Sequence, residues 1–202
     1  MVRRAGEYGI HASLAEADIK QVNAYIKHAV TTIQHHDSHE RFRGLGCDIY
    51  TGVARFNNTH SILVDDIELR ARRIVIATGS AARIPDIDGI RSVDYLTNEN
   101  MYSLETKPQH LLILGAGPVG VEMAQAYARL GSRITLIEQA EYILPRFDRD
   151  VSRLLKQQFM SDGINIVHGV VQQLRQSGVV KTVTLANGRE FIGDNLMIAI
   201  GR

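Results

Sequence analysis

A glycine-rich turn between an apolar strand and a helix constrains the fold of this chain more than any other feature of its sequence. Residues 115–120 read GAGPVG and match the pattern G-x-G-x-x-G, and the apolar run LLIL at residues 111–114 comes directly before them. A strand of consecutive apolar residues is typical of a parallel sheet that is covered on both faces. A helix is predicted from about residue 119 to 130, where Gly131 is suited to end it. The segment therefore predicts the first strand, turn and helix of an α/β unit.

An acidic residue further along completes the pattern of a Rossmann-like dinucleotide-binding domain. Glu138 lies 18 positions after Gly120, at the end of a predicted second strand over residues 133–138. In such a domain the first glycine permits the tight turn, the second lets a pyrophosphate approach the backbone at the helix N-terminus, and the third lets the helix pack on its strand. The predicted phosphate-binding loop consists of Gly115, Ala116, Gly117, Pro118, Val119 and Gly120.

Glu138 also predicts which dinucleotide is bound. A carboxylate at this position accepts hydrogen bonds from the hydroxyls of the adenine ribose and repels the 2′-phosphate of NADP. Arg133 precedes Glu138 and Arg146 follows well after it, so neither obviously offers a clamp for that phosphate. We therefore expect NAD(H), with NADP(H) as the weaker ligand. The alternative interpretation is a parallel α/β domain in which the glycines serve only packing.

The rest of the second half is predicted as one further helix and a series of short strands. The helix starts at Asp148 and ends at Asp162-Gly163, and Asn187-Gly188 is the signal of a β-hairpin. The residues predicted on the buried face of the helix are Val151, Leu154, Leu155 and Phe159. Strands are predicted near residues 164–168, 171–175, 179–185, 190–192 and 196–200.

The first half is predicted as one long helix followed by short strands, with a domain boundary near residue 100. The helix runs from Ser13, in a capping box with Glu16, to about Glu40. His35 and His39 would lie one turn apart on this helix, and this spacing permits a metal site. The alternative is a solvated, fraying helix end. We favour this alternative and expect no metal. The predicted strands are CDIY, VARF, SILV, IELR and RIVIA, between residues 47 and 77, with Asn57-Asn58 as a hairpin turn.

Composition excludes several classes of partner. The chain has 23 Lys and Arg against 22 Asp and Glu, and its net charge of +1 gives no electrostatic reason to expect nucleic acid or an anionic membrane. No apolar run approaches the roughly 20 residues that span a bilayer. Cys47 is the single cysteine, so an intramolecular disulfide is excluded, and we expect a cytoplasmic protein.

Five stretches together resemble the central part of the pyridine nucleotide-disulfide oxidoreductases, and most of all their mercuric-reductase and dihydrolipoamide-dehydrogenase branch. The stretches are GCDIYTGVARF (46–56), RIVIATGSAARIPDIDGI (73–90), LLILGAGPVGVEMAQAYARLGSRITLIE (111–138), ILPRFD (143–148) and LMIAIGR (196–202). The resemblance implies an NAD-binding Rossmann-like domain, residues 101–202, inserted in a partial FAD-binding domain, residues 1–100, as in flavoproteins with two dinucleotide-binding domains. The parent enzyme would transfer hydride from NAD(P)H to FAD.

The same resemblance implies further cofactor contacts. Val53 and Ala54 match the turn that touches the FAD adenine, and Ala77, Thr78 and Gly79 match the turn that closes over the FAD. Glu122 matches a glutamate near the nicotinamide, Val171 a residue beside the adenine of NAD, and Gly201 the glycine of a terminal Gly-Arg motif. Glu122 as a plain surface residue and Val171 as a plain core residue are the alternatives.

Several features of the family are absent from the sequence. There is no N-terminal G-x-G-x-x-G strand for FAD, no C-x-x-x-x-C redox pair and no C-terminal dimerisation domain with its His–Glu pair. Pro118 stands where several relatives have an aromatic gate, and Cys47 is expected to be a buried thiol in a strand. We therefore expect a central fragment of a homodimeric parent, without catalytic residues of its own. The alternative is a catalytically silent NAD(H)-binding module.

Overall fold

The computed structural model describes residues 5, 6, 8–11 and 15–202, and these form two compact units. The smaller unit is Ala24–Ser80, and the larger contains residues 81–202 together with the described residues up to Asn23. The predicted capping box involves Ser13, which lies outside the described residues. Within the described part of the chain, no helix is long and apolar enough to cross a membrane.

The smaller unit contains an antiparallel β-meander. The elements of this part of the chain are α1 (Ile19–Gln34, which starts in the larger unit), α2 (His39–Gly44), β1 (Ala54–Asn58), β2 (Ser61–Val64) and β3 (Ile67–Arg70). The three strands pair in sequence order, with Val64 of β2 opposite both Ala54 and Ile67.

The prediction of one helix from Ser13 to about Glu40 is wrong at both ends, since residues 15–18 are not helical and α1 begins at Ile19. Helix α1 ends at Gln34, a turn covers residues 35–37, and α2 begins after Ser38, whose Oγ accepts a hydrogen bond from the backbone N–H of Arg41. Ser38 thus starts a second helix. His35 and His39 lie on different elements, so the spacing on one continuous helix that the metal hypothesis required is not formed.

Four further predictions for the first half are corrected. The segments CDIY and RIVIA at residues 47–50 and 73–77 are not strands, because no described strand pairs with them. Cys47 is accordingly exposed rather than buried in a strand. Asn57 and Asn58 are the last residues of β1, and the turn follows at residues 59–60, where Asn58 Oδ1 accepts a hydrogen bond from the N–H of His60.

The larger unit is built on a four-stranded parallel sheet. Its elements in chain order are β4 (His110–Leu114), α3 (Pro118–Arg129), β5 (Arg133–Glu138), α4 (Arg149–Ser161), β6 (Asn165–His168), β7 (Val171–Ser177), β8 (Val180–Leu185), β9 (Glu190–Gly193) and β10 (Asn195–Ile198). The strand order of the parallel sheet is β10-β4-β5-β6. Strands β7, β8 and β9 form an antiparallel meander.

The central strand β4 has a core on each of its faces. Leu111 and Ile113 pack in the cluster that contains residues of α3 and α4, whereas Leu112 and Leu114 pack in the cluster that contains residues of the meander. Successive side chains of a strand point to opposite faces, so a run of four apolar residues is what a strand covered on both faces requires. The predicted α/β architecture with a parallel sheet is confirmed.

Helix α4 has the bounds that the sequence predicts, but a different set of its residues is buried. Phe159 is fully buried and Leu155 packs against the core, whereas Val151 and Leu154 are exposed. Ser152 is buried instead, because its hydroxyl donates to the carbonyl of Ile143 (2.7 Å). The hairpin signal at Asn187-Gly188 is confirmed: Gly188 has φ +81° between β8 and β9.

Candidate dinucleotide-binding site

The turn after β4 requires glycine at its first and last positions. Gly115 has φ +99°, and a Cβ there would lie 2.5 Å from the carbonyl oxygen of Ala199, just after β10. A Cβ on Gly120 would overlap the carbonyl oxygen of Gly115. The first glycine therefore permits the turn, and the last permits α3 to pack against it.

Gly117 is different, since the space beside it is open. It is the N-cap of α3, and an added Cβ would meet no protein atom within 4 Å. The first hydrogen bond of the helix runs from the N–H of Val121 to the carbonyl of Gly117 (3.0 Å), so the N–H groups of Val119 and Gly120 precede the helical ladder. Pro118 at the first helical position has no N–H. This open helix N-terminus fits a dinucleotide pyrophosphate.

Glu138 lies beside this loop at the end of β5 and is almost completely buried, with 8% of its surface exposed. Its Oε2 accepts a hydrogen bond from the N–H of Ala116 (2.7 Å), and its Oε1 accepts one from the N–H of Ala140 (2.9 Å). A carboxylate has about four acceptor positions, so each oxygen can accept one more hydrogen bond. The structure thus brings Ala116 and Glu138 together.

Residues 139–147, which we call the post-β5 loop, contact the glycine-rich turn and were not predicted as part of the site. The N–H of Leu144 donates to the carbonyl of Ala116 (2.8 Å), and Leu144 has φ +51°. His168, at the end of β6, donates from Nδ1 to the carbonyl of Ala140 (2.7 Å). The ILPRFD stretch covers part of this loop, but the contacts use backbone groups, which leave no signal in the sequence.

The other predicted NAD contacts have different surroundings. Glu122 is exposed on α3, and Val171 is partly buried against the core cluster that includes the meander. Gly201 has φ +116°, and its carbonyl accepts a hydrogen bond from the N–H of Arg83 (2.9 Å). Among these three, Gly201 comes two residues after Ala199 and so belongs to the segment that contacts Gly115.

The predicted FAD contacts all lie in the smaller unit and are exposed. Val53 and Ala54 are at the start of β1, where Asp65 Oδ1 accepts a hydrogen bond from the N–H of Val53 (3.0 Å). Ala77, Thr78 and Gly79 lie in a segment without regular structure. No strand pairing or backbone hydrogen bond among the described residues joins these two sets.

The comparisons with known proteins identify the family. Residues 9–202 match the pyridine nucleotide-disulphide oxidoreductase family along their whole length. The chain belongs to this family. The mercuric reductase of Lysinibacillus sphaericus is 31% identical over 198 residues, which are 96% of this chain and 36% of the relative. The probable pyridine nucleotide-disulfide oxidoreductase RclA of Escherichia coli is 31% identical over 77% of this chain and 36% of its own length. The chain thus spans about a third of the length of these curated relatives.

Solved structures of the same family share the fold. The flavoprotein disulfide reductase RclA of Escherichia coli superposes with a TM-score of 0.82 at 28% identity, over 93% of this chain and 43% of that one. LpdA of Mycobacterium tuberculosis gives a TM-score of 0.79 at 25% identity, over 98% of this chain and 45% of that one. These neighbours confirm the predicted fold class of flavoproteins with two dinucleotide-binding domains.

Proposed function

We propose that this chain is the NAD(H)-binding portion of a FAD-dependent oxidoreductase, in which hydride passes from NAD(P)H to FAD. The observation that carries the proposal is the open N-terminus of α3 at Gly117, directly beside the buried carboxylate of Glu138. In the proposed assignment, residues 101–202 are the NAD-binding domain and residues 1–100 part of the FAD-binding domain of a cytoplasmic, homodimeric parent enzyme.

The residues of this chain would bind and orient the cofactor. When bound, the nicotinamide supplies the hydride, and the protein supplies position and electrostatics. The N–H groups of Val119 and Gly120 would bind the pyrophosphate, and the free acceptor positions of Glu138 would bind the ribose hydroxyls. Glu122 is proposed near the nicotinamide, and Val171 and Gly201 along the rest of the dinucleotide. The proposed FAD contacts of the parent are Val53, Ala54, Ala77, Thr78 and Gly79.

The negative charge of Glu138 supports NAD(H) over NADP(H). The 2′-phosphate would be placed next to a carboxylate in a nearly dry site, where like charges repel strongly. A hydrogen bond to a charged group contributes roughly 1.5–3 kcal/mol, which corresponds to a preference of about tenfold to a hundredfold.

A second candidate function is an NAD(H)-binding module without flavin chemistry, and one observation on the smaller unit favours it. The residues of this unit that are proposed to contact FAD are exposed, and they form two sets that no described backbone hydrogen bond joins. Cys47 is the single cysteine of the chain and is free.

Equilibrium titrations of the purified chain with NADH, NADPH and FAD test both candidates. NADH fluorescence should report saturable binding that is tighter than that of NADPH. Flavin absorbance retained after gel filtration would support the oxidoreductase and contradict the silent module. Failure of the chain to bind either pyridine nucleotide would overturn the proposed function.

A further inference from the structure

The buried carboxylate of Glu138 has a bonding pattern that ribose recognition alone does not require. We propose that Glu138 is a positioning residue that fixes the glycine-rich turn before any nucleotide binds, and thereby sets the affinity for every dinucleotide that uses this turn. The inference rests on the proposed function, because it assumes that residues 115–120 bind the pyrophosphate.

The first step of the argument is the peptide environment of Ala116. Ala116 lies between Gly115 and Gly117, and glycines lose more conformational freedom on folding than any other residue. Its N–H donates to Oε2 of Glu138 (2.7 Å), and its carbonyl accepts from the N–H of Leu144 (2.8 Å). The middle residue of the turn is therefore restrained from both sides, and Glu138 provides the charged partner.

The second step is that Glu138 is itself held in orientation. Its Oε1 accepts from the N–H of Ala140, and the carbonyl of Ala140 accepts from Nδ1 of His168. Glu138 and His168 are directly paired across β5 and β6, and the N–H of Gly169 donates to the carbonyl of Glu138 (2.9 Å). A continuous series of hydrogen bonds thus joins β6 to the glycine-rich turn.

The third step separates positioning from ribose recognition. A residue that only reads the ribose changes the affinities for NADH and NADPH in opposite directions when its charge is removed. A residue that fixes the turn affects the pyrophosphate site, which both nucleotides share. In the nearly dry surroundings of Glu138, an unpaired N–H of Ala116 would be costly, so the turn would relax away from the conformation that binds phosphate.

The test compares Glu138→Gln and Glu138→Ala with wild type in titrations with NADH and NADPH. Both affinities should fall in both variants, by roughly tenfold or more in Glu138→Ala. Glu105→Gln removes the same charge from an exposed position before β4, outside the proposed site, and should leave both affinities unchanged. His168→Leu removes the donor to Ala140 and should weaken both nucleotides by a smaller factor.

Amide hydrogen exchange of the nucleotide-free protein gives a readout that does not depend on binding. Exchange at Ala116 should be faster in Glu138→Gln and His168→Leu, while exchange in β4 stays as in wild type. Weaker NADH binding with unchanged or tighter NADPH binding would overturn the proposal in favour of ribose recognition alone, as would unchanged exchange at Ala116. If wild type binds neither nucleotide, the proposed function fails, and the exchange at Ala116 still decides whether Glu138 fixes the turn.

Discussion

Nη2 of Arg133 lies 2.7 Å from Nδ1 of His110, so this imidazole accepts a hydrogen bond from a permanent cation. The other ring nitrogen, Nε2, lies 2.9 Å from Oγ1 of Thr135 and carries the single proton of the neutral ring. Burial lowers the pKa of His110, and the charge of Arg133 lowers it further; a backbone hydrogen bond at Ile192 and the carboxylate of Asp194 oppose this shift. The folded protein therefore favours the neutral imidazole.

The first prediction is a loss of stability in mild acid. Because the pKa of His110 is lower in the folded chain, the unfolded chain binds more protons once the pH drops below about 6.5, and the free energy of unfolding declines until the folded pKa is passed. Urea unfolding of wild type and His110→Gln over a pH series measures this. The variant should show a shallower decline. His28→Gln, at an exposed histidine, should match wild type, and equal slopes for wild type and His110→Gln would contradict the prediction.

The second prediction separates two glycines of the turn. Gly117→Ala should fold normally, since φ is −71° and the added Cβ meets open space, but it should bind NADH more weakly. Gly120→Ala should lower stability by roughly 1–3 kcal/mol or more, because its Cβ overlaps backbone. Circular dichroism melting and NADH titration check the pair. A Gly117→Ala protein with wild-type affinity would show that the pyrophosphate does not approach this glycine.

The third prediction concerns the buried hydroxyl of Ser152. Ser152→Ala should cost about 1–3 kcal/mol, because it leaves the buried carbonyl of Ile143 without this donor. Ser161→Ala is the matched control on the same helix, since the Oγ of Ser161 donates to Gln157 at the exposed end of α4. Denaturant unfolding compares the two. Equal losses in the two variants would contradict the prediction, because the exchange of Ser for Ala favours the helix by itself and only Ser152 contacts the post-β5 loop.

The fourth prediction is that this 202-residue chain alone does not reduce disulfides or mercuric ions, even with NADH bound. Reduction of a disulfide needs two electrons, and the lone Cys47 cannot form the internal disulfide that would accept two electrons and hold them as a thiol pair. NADH consumption is followed by absorbance with lipoamide, glutathione disulfide or a mercuric salt, with and without added FAD. Turnover that copurifies with the chain and disappears in Cys47→Ser would instead make Cys47 a redox centre.

The sequence predicts best where the structural signal is local. Strand β4, the turn at residues 115–120 and strand β5 were predicted within one residue, because apolar runs and glycines mark them directly. The RIVIA segment shows the limit: its composition favours a strand, yet a strand needs a partner, and Val75 is 86% exposed. In α4 the apolar pattern placed Val151 in the core, whereas the buried stripe contains Ser152, Leu155 and Phe159, and the hydroxyl of Ser152 is hydrogen-bonded there.

The site was predicted less completely than the fold for the same physical reason. Gly117 and Glu138 carry side-chain signals, namely a missing Cβ and a carboxylate at a strand end. Ala140 and Leu144 act through their backbone N–H and carbonyl groups, which every residue but proline possesses. Their roles depend on the path of the post-β5 loop, which brings them next to Glu138 and the glycine-rich turn.

The contacts of the Ala116 peptide have a consequence for how this region can diverge. Glu138 accepts from the N–H of Ala116 and Leu144 donates to its carbonyl, and these two residues lie at the two ends of one short segment. The number of residues between Glu138 and Leu144 is therefore fixed by the two hydrogen bonds. An insertion or deletion there would shift one contact relative to the other, whereas a substitution at an exposed position such as Glu141 would shift neither. Homologous chains should therefore vary in this segment by exchange of residues and conserve its length.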